Sequence, residues 1–196
     1  MKSNSGDLTD DELLFAARMG SEEAFAALVR RHEQRVAATV KGMLGDTTEA
    51  EDVGQETFVR LYYSLRNFRG ESKLGTYLTR IAINLSINEL RNRRRRDRFF
   101  SSPQEVSNEA TEQMAAISEP QYETLEFREE VRGAISNLKP KLRAVVVLRL
   151  IDGYSTAETA GILRIPQGTV LSRLARAQVK LKELLLPYAT DSKNKE

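Results

Sequence analysis

Three stretches of the chain carry side chains whose types and spacing suit contact with a nucleic acid. The first is IPQGTVLSRLARA, residues 165–177, with a proline and a glycine at the mouth of a helical pattern. At 3.6 residues per turn, Val170, Leu174, Ala177, Leu181 and Leu184 fall on one apolar stripe. Ser172, Ala175 and Arg176 then lie on the opposite face, flanked by Leu171 and Arg173. Arginine forks onto base edges or phosphates, and a small Ala175 lets such a face come close to a groove. The second stretch is LRNRRRRDRFF, with six arginines in the eight positions 91–98. A helix C-terminus welcomes two or three cations through its dipole; six exceed that and point to phosphate, a charge rather than a sequence. The third is LRNFRGESKLGTYLTRIAINLSIN, which places Phe68 on a glycine-bearing loop, Tyr77 on the next helix and Asn84 two turns further on. Aromatic rings beside basic residues stack on unpaired bases, and an amide pairs with a base edge. By spacing alone these three read more readily as two core aromatics and a surface amide.

No stretch carries a set that breaks bonds. GESKLG lacks the Gly-Lys-Ser/Thr ending of a phosphate-binding loop. The single histidine, His32, lies between Arg31 and Glu33 on a charged helix face and is assigned no role. The absence of cysteine excludes disulfides, thiol nucleophiles and Cys-based zinc sites. The expectation is no catalytic residue, no metal and no cofactor.

The elements that position these stretches are helices, because apolar residues recur at helical spacing nearly throughout and strand-like alternation is missing. Helices are predicted from near Asp11, from Glu22 to Gly45, from Glu49 to Leu65 with Val53, Phe58, Leu61 and Tyr62 inward, and from Leu74 into the arginine run. Four more are predicted at 122–137, 140–151, 156–163 and 167–186. Pro140 suits a first turn, Ser155 with Glu158 forms a capping box, and Gly153 stands where a helix ends. The last two helices, three or four residues apart, have the proportions of a helix-turn-helix. Residues 101–121, rich in Ser, Glu and Gln with two prolines, read as a flexible acidic linker. The fold expected is all-α: a helical domain over 1–100, the linker, a helix-turn-helix domain over 122–186 and a tail over 187–196.

The net charge of +2 hides blocks of opposite sign. Five acidic residues and no basic one lie between Asp46 and Glu56. Ten Lys or Arg face two acids between Val131 and Lys182. Sorted charge implies separate surfaces with different partners, at least one of them a polyanion; by its residues alone the acidic block reads as a solvated helix face more readily than as a site for a basic protein partner. Asp52, Gln55, Glu56 and Arg60 run along one side of the acidic helix. The acidic N-terminus is unlike a signal peptide, and the longest apolar run, Ala144 to Leu148, is far short of a membrane span of about 20 residues. A cytoplasmic protein without membrane insertion is expected.

Two segments in this order, AEDVGQETFVRLYYSLRNFRGESKLGTYLTRIAINLSINELRNRRR and ISNLKPKLRAVVVLRLIDGYSTAETAGILRIPQGTVLSRLARAQVKLKELL, resemble bacterial RNA polymerase sigma factors of the extracytoplasmic-function group. The resemblance implies a transcription initiation factor with core RNA polymerase, through its clamp coiled coil and flap, and promoter DNA as partners, together with an anti-sigma factor. It lays Asp52, Gln55, Glu56 and Arg60 on the clamp. It lays Phe68, Tyr77 and Asn84 on a flipped base of the −10 element, and Arg91, Arg93, Arg94, Arg95 and Arg96 on the adjoining backbone. Thr169, Leu171, Ser172, Arg173 and Arg176 fall on the −35 element. The chain departs from the family's pattern at Leu171, where a basic residue is common, and at Tyr77, where Trp is usual. Leu74 and Gly75 stand where larger residues are usual. Gly54 sits inside the acidic helix, where glycine costs about 0.5–1 kcal/mol relative to alanine. A stand-alone helix-turn-helix regulator predicts tight duplex binding without polymerase, and an RNA-binding adaptor predicts steeply salt-dependent RNA binding without a transcriptional effect.

Overall fold

The computed structural model describes residues 8–68, 70, 72–100 and 122–191. Among these residues every regular element is a helix. The expected linker over 101–121 and the last residues of the expected tail, 192–196, lie outside the described residues.

Local signals set most helix starts. Thr9 caps α1 (Asp10–Arg18) in a capping box with Glu12, Ser21 caps α2 (Glu22–Leu44), and Thr47 caps α3 (Thr48–Ser64). Each side-chain oxygen accepts one of the backbone N–H groups that a first turn leaves unpaired. Gly45 ends α2 at φ +81°, a conformation that favours glycine. α3 tightens into a 3₁₀ turn, Leu65–Asn67, before the loop to α4 (Leu74–Phe100). Leu13, Leu28, Val36, Val53, Leu61 and Leu78 centre the N-terminal core. On α3 the inward stripe is Val53, Thr57 and Leu61; Tyr62, expected inward, is 57% exposed. Thr57 fits inside because its hydroxyl donates to the Val53 carbonyl at 2.8 Å.

The second unit comprises α5 (Tyr122–Ser136), α6 (Pro140–Val146), α7 (Thr156–Leu163) and α8 (Gln167–Asp191). Instead of one helix to 151, α6 widens at Val147–Ile151 into a π turn, in which the Asp152 N–H reaches back five residues to the Val147 carbonyl. α8 also runs five residues past its expected end at 186, to Asp191.

The run Ala144 to Leu148 is the hub of the molecule. Val145 packs with Ala160 and Val170 inside the helix-turn-helix, and Val146 packs with Leu138 and Ala177 under α5 and α8. Ala144, Val147 and Leu148 turn the other way, onto Met43 of α2 and Ile83 of α4. A segment apolar on every side is buried on every side, so the two helical units share a core. Gly42 makes room for it: a methyl group there would lie 3.0 Å from Val147 Cγ1.

Polar contacts ring this shared core. The Thr39 hydroxyl donates to Asp152 Oδ2 at 2.8 Å, and the Thr79 and Tyr154 hydroxyls are 2.9 Å apart. Arg80 reaches the Gly161 carbonyl at 3.2 Å, and Arg143 reaches the Met43 carbonyl at 2.5 Å. Burial raises the Asp152 carboxyl above its ordinary range, partly offset by the Thr39 hydrogen bond and by the charge of Arg35.

Candidate nucleic-acid and polymerase interfaces

The helix-turn-helix is built from local chemistry. Ser155 and Glu158 cap α7 reciprocally, at 2.8 and 3.2 Å, as their sequence spacing predicted. The Ser155 hydroxyl, then its backbone N–H, hold the Glu158 carboxyl below its usual range. Arg164 takes the left-handed conformation at φ +52° and ends α7, and Pro166 accepts the first backbone bond of α8 from the Thr169 N–H. α8 then buries Val170 and Ala177 completely and packs Leu174 and Leu181 against them. Its other side faces outward. Leu171, Ser172, Ala175 and Arg176 are exposed, and Thr169 and Arg173 are half-buried. Ser172 Oγ donates back to the Thr169 carbonyl at 3.1 Å, which keeps both hydroxyl side chains within one turn of the helix mouth.

On α4, Arg91, Arg93, Arg94 and Arg95 are exposed, and Arg96, also exposed, pairs with Glu89 at 2.7 Å. Upstream on the same helix, Asn84 is exposed and Tyr77 half-buried. Their separation of seven residues is two turns, about 10 Å along the axis. The Phe68 and Tyr77 rings are in contact, with centroids 4.9 Å apart and planes tilted by 56°. Phe68 itself is only 8% exposed and belongs to the N-terminal core. The surface here is thus a half-buried tyrosine backed by a buried phenylalanine, with an open amide two turns away.

Sequence reasoning missed what fixes this loop. Arg18, at the end of α1, donates Nε to the Leu65 carbonyl at 2.9 Å and Nη2 to the Phe68 carbonyl. A basic residue in a last helical turn was the only signal, and it reads equally well as a dipole partner. His32 was also misread: it is 8% exposed, with Nε2 2.9 Å from Asp10 Oδ2, and ties α2 to the start of α1. Arg31 donates to the other oxygen of the same carboxylate at 2.9 Å. No group of three or more His, Asp or Glu clusters as a metal site would require among the described residues.

The acidic helix α3 presents Asp52 and Gln55 to solvent, with Glu56 half-buried. Glu56 pairs with Arg60 at 2.9 Å, one turn on. No helix among the described residues is long and apolar enough to cross a membrane.

Residues 28–96 match the family model of Sigma-70 region 2, and residues 128–181 match that of Sigma-70 region 4. The chain is 33% identical over 187 residues to the RNA polymerase sigma-H factor of Pseudomonas aeruginosa, spanning 93% of this chain and 97% of that one. It is 34% identical over 187 residues to the ECF RNA polymerase sigma-E factor of Escherichia coli, with the same coverage of both chains. In structure it is similar to CnrH, solved in complex with the cytosolic domain of CnrY, at a TM-score of 0.62 and 27% identity over 90% of this chain and 96% of that one. With both sigma regions present in order and relatives of this identity along nearly the whole chain, the protein belongs to the extracytoplasmic-function sigma factors of bacterial RNA polymerase.

Proposed function

We propose that the chain binds core RNA polymerase and directs it to promoters by melting and reading the −10 element with α4 and contacting the −35 element with α8. The observation that carries this reading is the presence of both sigma regions in one short chain, residues 28–96 and 128–181. Asp52, Gln55, Glu56 and Arg60 on α3 are assigned to the polymerase clamp. Tyr77 and Asn84, with Phe68 as backing, are assigned to a flipped base, and Arg91 and Arg93 to Arg96 to the neighbouring phosphates. Thr169, Leu171, Ser172, Arg173 and Arg176 are assigned to the −35 major groove. A second class of partner is an anti-sigma factor: the sigma factor RpoE of Bartonella quintana, to which the chain is similar in structure, was solved in complex with the anti-sigma factor NepR.

Geometry gives the polymerase a further task. The two promoter elements lie about 25 base pairs apart, on the order of 85 Å at 3.4 Å per step. A compact fold of 196 residues has a radius of gyration of only about 16 Å. With α6 packed on α2 and α4, the chain reaches one element at a time, so free protein binds promoter DNA weakly. Polymerase that holds the halves apart makes both contacts simultaneous and gains by effective concentration. Melting then draws on binding free energy, because capture of a flipped base offsets an unstacking cost of a few kcal/mol.

The test mixes the purified chain with bacterial core polymerase and measures co-elution on a sizing column and run-off transcription. Co-elution with a defined transcript is expected. Duplex binding by the chain alone, without co-elution, would favour the stand-alone regulator instead. Within the complex, Arg176→Ala is expected to weaken −35-dependent binding by about 1–3 kcal/mol, the scale of a lost base contact, with polymerase binding intact. Asn84→Ala is expected to slow open-complex formation about tenfold and to relax base preference at one −10 position, as permanganate footprinting on a promoter series would read. An unaltered base profile would remove Asn84 from the pocket.

A further inference from the structure

Gly54 has no role in the fold, which makes its place in the middle of α3 informative. A methyl group built there meets no atom within 4 Å, so neither close packing nor a left-handed backbone requires glycine. The helix therefore bears the entropic cost of glycine without any gain inside the chain. The space left by the missing side chain is part of a shallow depression of about 240 Å³ between α2 and α3, lined by Val29, Ala37 and Phe58 and rimmed by Glu33, Glu51 and Lys41, the last already paired with Asp46 at 2.7 Å. The edge-on contact of Phe25 with Tyr62, centroids 5.2 Å apart, marks one end of this seam. Along α2 the seam follows the four-residue ridge Phe25, Val29, Glu33, Ala37 and Lys41, about 24 Å long at 1.5 Å per residue. Its length suits one helix, and the two carboxylates on its rim, unpaired among the described residues, suit a basic one.

We infer that Gly54 is a notch that receives an apolar side chain from a basic amphipathic helix of core polymerase, with Glu33 and Glu51 pairing with cations on either side. The inference rests on the sigma-factor reading and deepens it: the carboxylates of α3 attract the partner, and the missing side chain sets how closely the partner helix seats. Gly54 is a specificity-determining contact, because a larger residue would hold the two helices apart.

The test compares the unmodified full chain with Gly54→Ala, Gly54→Leu and Asp52→Arg for binding to purified core polymerase, alongside thermal melting and duplex binding. Gly54→Ala is expected to melt higher than the unmodified chain while binding polymerase less tightly, a pairing that a purely structural glycine would not produce. Gly54→Leu is expected to fold, to keep its duplex binding and to lose polymerase affinity by about tenfold or more. Folded Gly54→Leu with undiminished affinity would overturn the notch; if Asp52→Arg still weakened binding, the sigma-factor reading would survive. No binding by the unmodified chain would overturn both. If Gly54→Leu does not fold, Gly54→Ala decides: affinity equal to the unmodified chain would also overturn the notch.

Discussion

Leu148→Ala is expected to lower the free energy of unfolding by about 2–5 kcal/mol, enough to consume a large share of the 5–15 kcal/mol typical of a domain. Leu148 is fully buried, and its neighbours come from both halves of the molecule: Met43 and Ile83 on one side, Val147 and Ile162 on the other. Truncation leaves a cavity that α2 and α4 can close only by shifting against α6, and Val147 is already held tightly by the close approach of Gly42. Leu150, two residues on and 54% exposed, is the matched control; Leu150→Ala is expected to change stability by no more than about 0.5 kcal/mol. Urea titration followed by circular dichroism reads both variants. Equal midpoints for the two would mean that the shared core does not form in solution. The same loosening should help the halves separate, so Leu148→Ala chain that remains folded is expected to bind polymerase at least as well as the parent.

The helices were legible in the sequence because their ends are written in local chemistry. Thr9, Ser21 and Ser155 cap, Pro140 opens and Gly45 and Gly153 close, and each acts within four residues of itself. The exposed faces were legible too. Asp52, Gln55, Asn84, Ser172 and Arg176 lie on the outside, where the period placed them. Periodicity says that a residue is buried but not what buries it, so the shared core was not legible. The run Ala144 to Leu148 looked like an ordinary helix interior, although three of its residues face a different half of the chain. Polar residues drawn inward by a distant partner were hidden for the same reason. His32 finds Asp10, Thr39 finds Asp152 and Arg18 finds the Phe68 carbonyl, and none of these pairs is within 20 residues in sequence. Phe68 shows the limit from the other direction. Spacing allowed it to be core or platform, and its ring is in the core, with only Tyr77 and Asn84 of that trio reaching solvent.

Arg143 is the sharpest instance of a long-range polar contact, and its removal should be the second large effect. The sequence counted it among the basic residues of a nucleic-acid surface, yet it is 5% exposed. Nη1 donates to the Met43 carbonyl at 2.5 Å, and Nη2 lies 3.4 Å from the Leu138 carbonyl. Met43 is in the last turn of α2, where carbonyls lack helical partners and the dipole is negative. Arg143 thus caps from α6 a helix that belongs to the other half of the molecule. Burial, then the charges of Arg94 and Arg93, pull its guanidinium down to about 10, still far enough above neutrality to keep it charged. Arg143→Ala leaves a buried carbonyl unpaired, at about 1–3 kcal/mol, and removes the packing of the arginine stem. The expected total is on the order of 3 kcal/mol, read by the same urea titration. Arg143→Met retains the stem and discards the buried charge, so it is expected to recover roughly half of that loss. Full recovery by methionine would show that Arg143 acts through packing alone and that the Met43 carbonyl needs no cation. No recovery would show that the charged contact between the halves accounts for the whole effect.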